Sequence, residues 1–311
     1  MFMFVLRRIG AMLATMFALT FIVFYLVNLP GNLEKIAKTE GNMRMTDEQV
    51  ASWLEKEGYS RPFLIRYGEW IVGTVQGDMG YSRVFRKPVS EVVGERLGHT
   101  GILMFWVMIV MVPMSLIIGI MAGMREGSFL DRSLSVGSIA STSAPEYVTG
   151  IVFTIIFASY LGWFKGIAKA GDVTFENFTL PVMTMAMYGM GYIARLTRAS
   201  MVEVMTSQYI RTARLKGLNF RSVVLKHALR NALITPFTVI MLQFPWLLTG
   251  VVVVEAMFNY KGFGFALIQA AGNNDIELLL AISWVAVIVV LVTQLISDIG
   301  YAYLNPRIRV K

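Results

Sequence analysis

Apolar positions along this chain collect into six long runs with polar stretches between them. The runs are about Ile9–Leu29, Gly101–Met121, Ser133–Tyr160, Leu180–Ala194, Ala232–Phe258 and Leu278–Ala302. About 20 residues of helix are needed to cross roughly 30 Å of hydrocarbon, and the backbone must satisfy its own hydrogen bonds there. These runs are too long and too uniform for the alternating strands of a barrel. The pattern predicts an all-α membrane protein with about six transmembrane helices. The fourth run is the shortest and is rich in Gly and Met. The first run exceeds the apolar core of a signal peptide and is followed by Pro30-Gly31 where a small-x-small site would stand. It therefore reads as a retained anchor over residues 1–30.

Residues 31–98 break the apolar pattern and read as a small external subdomain. Thr46-Asp47-Glu48-Gln49 has capping-box spacing and Gly58 supplies a stop, which predicts a helix over Asp47–Glu57. Beyond Pro62, the residues Phe63, Tyr67, Trp70 and Ile71 recur at helical spacing. That stripe predicts either a helix on the membrane surface, with Tyr67 and Trp70 at the headgroups, or a packed lid.

Composition agrees with the pattern. Hydrophobic residues make up 56% of the 311 and charged residues 15%, with a mean hydropathy of +0.60. Cysteine is absent, which excludes disulfides and thiolate metal sites, and the two histidines, His99 and His227, are far apart in sequence.

Charge sets the expected topology. With the N-terminus in the cytoplasm, the inside segments hold Arg7, Arg8, Arg125, Arg132, eight Lys/Arg between Arg195 and Arg230, and Arg307, Arg309 and Lys311. The short outside loops hold only Lys165, Lys169 and Lys261. Residues 31–98 carry ten cations and ten anions, so they do not decide the matter.

The connector of about residues 195–232 balances its eight cations with a single acid, Glu203, and so carries seven of the eight net positive charges of the chain. A positive-inside loop could be basic for topology alone. Nucleic acid is not an expected partner, because no aromatic platform or recognition fold accompanies the charge. Arg211 and Arg214 share one face of a helix, with Tyr209 and Ala213 on another. Gly217 can take the positive φ that ends such a helix, and a second helix over about Phe220–Leu233 would lead back to the membrane.

Tyr209-Ile210-Arg211-Thr212-Ala213-Arg214-Leu215-Lys216-Gly217, followed by His227-Ala228-Leu229-Arg230-Asn231, resembles the cytoplasmic loop of binding-protein-dependent ABC importers. The resemblance is closest to the dipeptide/oligopeptide/nickel permease family. It extends to Phe4-Val5-Leu6-Arg7-Arg8, Gly77-Asp78-Met79-Gly80-Tyr81-Ser82, Pro88-Val89, Gly262-Phe263-Gly264, Asp298 and Asn305-Pro306-Arg307-Ile308-Arg309. The resemblance implies a type I ABC importer transmembrane fold, with residues 99–311 as the permease core. It implies that Tyr209, Arg211, Thr212, Ala213, Arg214, Lys216 and Gly217 form a coupling helix docked on an ATPase. It also implies a second homologous permease subunit, two ABC ATPases, an external solute-binding protein and residence in a bacterial or archaeal inner membrane, with both termini cytoplasmic. The cargoes it implies are those of the family, short peptides, nickel chelates, opines and some oligosaccharides, with a short peptide or peptide-like solute favoured.

The chain has no Gly-x-x-x-x-Gly-Lys-[Ser/Thr] phosphate cradle. It is therefore expected to hold no cofactor and to be no enzyme, with ATP and Mg2+ bound by partner subunits. Intramembrane acids are functional candidates by default. Glu146 follows Pro145 near the middle of the third run, inside Ser141-Thr142-Ser143-Ala144-Pro145-Glu146-Tyr147. Pro145 should kink that span, and Glu146 lines a translocation cavity or serves as a structural carboxylate. Glu255, at the outside end of the fifth run, stands near an outer gate or in water at a helix end. Two other classes compete with the importer. A stand-alone ion-coupled carrier calls for a relay of buried acids or an inverted repeat. An intramembrane enzyme calls for a nucleophile with a base in reach.

Overall fold

The computed structural model describes residues 2–41 and 44–304. The Asn305–Arg309 stretch and Lys311 lie outside the described residues. In chain order the helices and strands are α1 (Phe2–Val27), α2 (Pro30–Glu40), α3 (Asp47–Lys56), α4 (Phe63–Val75), β1 (Tyr81–Ser82), β2 (Lys87–Pro88), α5 (Val89–Gly123), α6 (Phe129–Ser143), α7 (Glu146–Phe153), α8 (Phe175–Met205), α9 (Gln208–Leu215), α10 (Phe220–Ser222), α11 (Leu229–Ala232), α12 (Ile234–Met257), α13 (Phe263–Gly272) and α14 (Ile276–Leu304). Wider π-helical turns continue α7 over Thr154–Tyr160 and join α10 to α11 over Val223–Ala228.

Contacts divide the chain into two compact units, one of residues 2–99 with 261–291 and one of residues 100–260 with 292–304. In the first, α1 carries the apolar stretch Leu6–Val27. Helix α4 packs on it through aromatic rings. Phe63 and Tyr67 meet Phe21 and Phe24 edge to face, and Trp70 contacts Phe24 and Trp284. Tyr67 also exchanges a hydrogen bond with Thr20 at 2.9 Å. Of the two expectations for this stripe, headgroup contact or packing, its aromatic rings take the second and lie against protein, where ring area and a Tyr hydroxyl both find partners.

The capping box at Thr46 and Gln49 forms, and Gly58 ends that segment at φ +79°. Residues 81–88 add a short antiparallel hairpin, pairing Tyr81 with Pro88 and Ser82 with Lys87. Buried Asp275 fixes it by accepting from the Ser82 hydroxyl at 2.6 Å and the Val84 amide at 3.1 Å. Val89, Val92 and Val93 then pack with Phe263, Ala266, Leu278 and Ala281.

In the second unit α8 is the central element and packs against α6, α7, α11 and α12. Among the described residues, three helices (within α1, α5 and α14) are long and apolar enough to span a membrane, and two bent pairs join them if each pair counts as one span. Helix α8, which contains the fourth expected run, is 31 residues long and is not among them. Its inward face is built of Thr184, Gly189, Gly191, Thr197 and Ser200 beside Leu180, Met185 and Ile193. A helix surrounded by other helices can exchange apolar bulk for small residues that let backbones approach. A Cβ at Gly191 would sit 2.5 Å from the Ser138 carbonyl oxygen, and one at Gly119 of α5 would sit 2.6 Å from the Ala194 carbonyl oxygen.

The third expected run is two helices. Helix α6 and the segment Glu146–Tyr160 meet at 104°, far more than a proline kink. The cause is local. Ala144 is extended at ψ 135°, as residues before proline prefer, and Pro145 is extended at ψ 149°. Two consecutive non-helical residues end one helix and start another.

Candidate functional site

The basic connector folds into an elbow with its own small core. Helix α9 begins after Ser207, and Ile210 and Ala213, three residues apart, turn inward. They are buried with Met201, Val223, Val224, Ala228 and Ala232, and with Ile120 and Met124 of the preceding α5 region against them. The Ser200 hydroxyl donates to the Ala232 carbonyl at 2.8 Å, and Asn231 donates to the Tyr209 hydroxyl at 2.9 Å. Gly217 takes φ +75°, and the Leu218 amide reaches back to the Ala213 carbonyl, closing the helix as glycine caps do. The return segment is helical over Phe220–Ala232 and meets the next helix at 48°.

The opposite face of α9 is exposed and cationic. Arg211, Thr212, Arg214 and Lys216 are exposed, and Leu215 stands 80% exposed beside them. The Arg211 and Arg214 guanidinium groups and the Lys216 ammonium make no ion pair or hydrogen bond to another described residue. Of the seven residues predicted for coupling, Ala213 faces inward and Tyr209 braces Asn231. Arg211, Thr212, Arg214 and Lys216 form the outer surface. Gly217 shapes the exit.

Sequence reasoning missed the joint behind this elbow. Asp131, 2% exposed in the first turn of α6, receives both ends of the Arg198 fork from α8. It also accepts from the Gly127 amide at 2.9 Å and the Ser135 hydroxyl at 3.3 Å. Ser128 caps the same helix by accepting from the Asp131 amide. The signal was present in the Ser128-x-x-Asp131 spacing, but its cation lies 67 residues further along.

Glu146 occupies the first turn of α7, where the partial positive charge of a helix start favours a carboxylate. Its side chain is half-buried and makes no hydrogen bond or ion pair to another described residue. Glu255 is 0% exposed and accepts a hydrogen bond from the Thr100 hydroxyl. It therefore stands neither in water nor on an open passage in this conformation. An apolar cleft of about 380 Å³ opens between Trp106, Val110, Phe175, Phe178 and Val182, and none of the sequence-predicted residues lines it.

Helices α6, α7, α11 and α12 packed on α8, with the basic elbow following it, belong to the type I ABC importer transmembrane fold. Two solved structures share it. One is described as an amino acid ABC transporter with histidines (TM-score 0.54, 16% identity, 69% of this chain and 94% of that one). The other is an inward-facing MetNI methionine ABC transporter (TM-score 0.52, 18% identity, 68% and 94%).

The chain belongs to the family of binding-protein-dependent transport system inner membrane components, whose model matches residues 115–310. It is 32% identical over 311 residues to the glutathione transport system permease protein GsiC of Escherichia coli O6:H1, covering 99% of each chain. The same protein of Salmonella choleraesuis is 33% identical over equal coverage. The chain is accordingly an ABC importer permease of the inner membrane, and the ion-coupled carrier is not favoured.

Proposed function

We propose that this permease forms half of a pathway carrying a short peptide or peptide-like solute into the cytoplasm, driven by ATPase subunits that dock on α9. The glutathione permeases it resembles support that substrate class. Four further partners complete the assembly: a second homologous permease, two ABC ATPases holding ATP and Mg2+, and an external solute-binding protein. Both termini and α9 face the cytoplasm. Residues 1–30 anchor, 31–98 form the external part, and 99–311 form the permease core.

The observation that carries this reading is the pairing of faces on α9. Ile210 and Ala213 fasten it from behind, while Arg211, Arg214 and Lys216 stand outward with no ion pair or side-chain hydrogen bond to another described residue. Guanidinium forks suit carboxylates on a docking subunit. Closure of the ATPases on ATP would move the elbow as a rigid piece. Helices α8 and α6, joined by Arg198 and Asp131, would move with it. Pro145 and Glu146 border the solute pathway, where Glu146 meets the positively charged group of a solute. Glu255 packs the outer gate.

The test is an Arg211→Glu/Arg214→Glu variant of the whole assembly. Insertion is expected to be normal, while co-purification of the ATPases and uptake of labelled glutathione or tripeptides both fall. Normal uptake by a well-expressed variant would refute the docking role.

A further inference from the structure

Successive residues of helix α4 turn by about 100°, which sorts its side chains onto three faces. Phe63, Tyr67, Trp70 and buried Thr74 point to the protein. Arg66 and Glu69 form a polar flank. Arg66 donates to the Asn28 side chain and, at 3.0 Å, to the Tyr59 carbonyl, and Glu69 pairs with Arg61 at 2.7 Å. The third face holds Leu64, Ile65, Val72 and Val75, with exposures of 69%, 53%, 55% and 69%. That much exposed branched side chain on one 13-residue helix needs an apolar neighbour.

The attachment point identifies that neighbour. Helix α1 is an apolar span with only 11% of its length buried by protein. Tyr67 donates to the carbonyl of Phe17, ten residues before Val27 at the end of the span. Ten residues of helix cover about 15 Å, roughly half of a 30 Å hydrocarbon core. Meanwhile Arg66 is held at Asn28, just past the span's end. The helix thus hangs from the headgroup level by its polar flank, and its contacts reach toward mid-membrane. Phe17, Ile22 and Leu26 of α1 are themselves 48%, 50% and 51% exposed, as the lipid-facing residues of a span would be.

We infer that α4 is sunk in the leaflet at the Val27 end of α1, with Leu64, Ile65, Val72 and Val75 in contact with lipid acyl chains. The aromatic stripe is its attachment to protein and the aliphatic stripe is its attachment to the bilayer.

The chain contains no cysteine, so single-cysteine spin labelling of it needs no prior substitution, and the labelled chain is combined with its partners after the label is attached. Nitroxides would be placed at Leu64→Cys, Val72→Cys and Val75→Cys, with Glu55→Cys on α3 as the aqueous reference, in the full assembly reconstituted in phospholipid nanodiscs. The ratio of collision rates with oxygen and with a water-soluble nickel chelate is expected to be several-fold higher at the three α4 sites than at residue 55. A ratio equal to that at residue 55 would place the stripe in water and overturn the inference. Immobile labels shielded from both quenchers would assign the stripe to a partner protein and also overturn it. Should one variant fail to assemble, the other two give the same reading.

Discussion

Arg198 grips Asp131 with two nitrogens, Nε to Oδ1 at 2.5 Å and Nη2 to Oδ2 at 2.7 Å. The carboxylate is almost wholly enclosed and the guanidinium partly so. The pair joins the first turn of α6 to α8 ten residues before α9 begins. A bidentate fork fixes both distance and angle between two helices, which a point charge would not.

Asp131→Asn would keep the shape of the side chain and leave Arg198 facing a neutral group. Breaking one side of an enclosed pair costs about 3 kcal/mol when the remaining charge stays buried. Arg198 is 30% exposed, so the loss should fall below that figure. Unfolding of the detergent-solubilised protein, followed by α-helical signal, is expected to shift to lower temperature. An unchanged midpoint would show the joint to be dispensable.

Helix–helix contact at α8 depends on absent side chains. Gly191→Ala would push a methyl to 2.0 Å from the Ser141 hydroxyl oxygen, and Gly119→Ala one to 2.6 Å from a backbone carbonyl. Overpacking of this kind costs about 1–3 kcal/mol. Gly137→Ala, with nothing within 4 Å, should be neutral or gain about 0.5 kcal/mol. Thermal midpoints of the three variants side by side test the ranking.

Within the elbow, Gly217→Pro demands φ near −65° where the chain has +75°. Ile210→Asp places a carboxylate in a core that excludes water. Both variants are expected to express and insert but to lose transport, because α9 can no longer be held at a fixed angle. Protease access to residues 208–217 should rise in parallel.

Glu146→Gln removes charge at the break between α6 and α7 without altering volume. On the proposed pathway role, uptake of cationic peptides should fall relative to neutral ones, with assembly and ATP hydrolysis intact. Equal loss for both substrates would make the residue structural.

Asp275→Ala would free the hairpin over residues 81–88 by deleting acceptors for the Ser82 hydroxyl and the Val84 amide. Each buried hydrogen bond lost costs about 1–2 kcal/mol. Faster amide exchange at Val84 and Phe85, measured by mass spectrometry, is the expected sign.

Local rules served the sequence reading well where the cause was local. The Thr46 capping box, the Gly58 and Gly217 stops and the helix after Pro62 all formed as spacing indicated. Pro145 was expected to bend the chain, but a kink is a smaller event than a 104° break. The difference lay in Ala144 adopting extended geometry as well. The Tyr67–Trp70 stripe was visible, yet an amphipathic stripe does not say whether its partner is lipid or protein. The fourth run read as a poor span because its neighbours, not its own residues, supply its apolar surroundings.

The amino-acid order alone determined the apolar runs, the Thr46 cap, the Gly58 and Gly217 stops, the basic connector and the importer class it resembles, because capping, glycine geometry and hydropathy act within a few residues. Tertiary structure decided which face of α9 turns inward, that Arg198 meets Asp131, that Glu255 is enclosed beside Thr100, and that Tyr67 belongs to α1. Those outcomes join residues distant along the chain, and their energies exist only once the packing has brought the groups together.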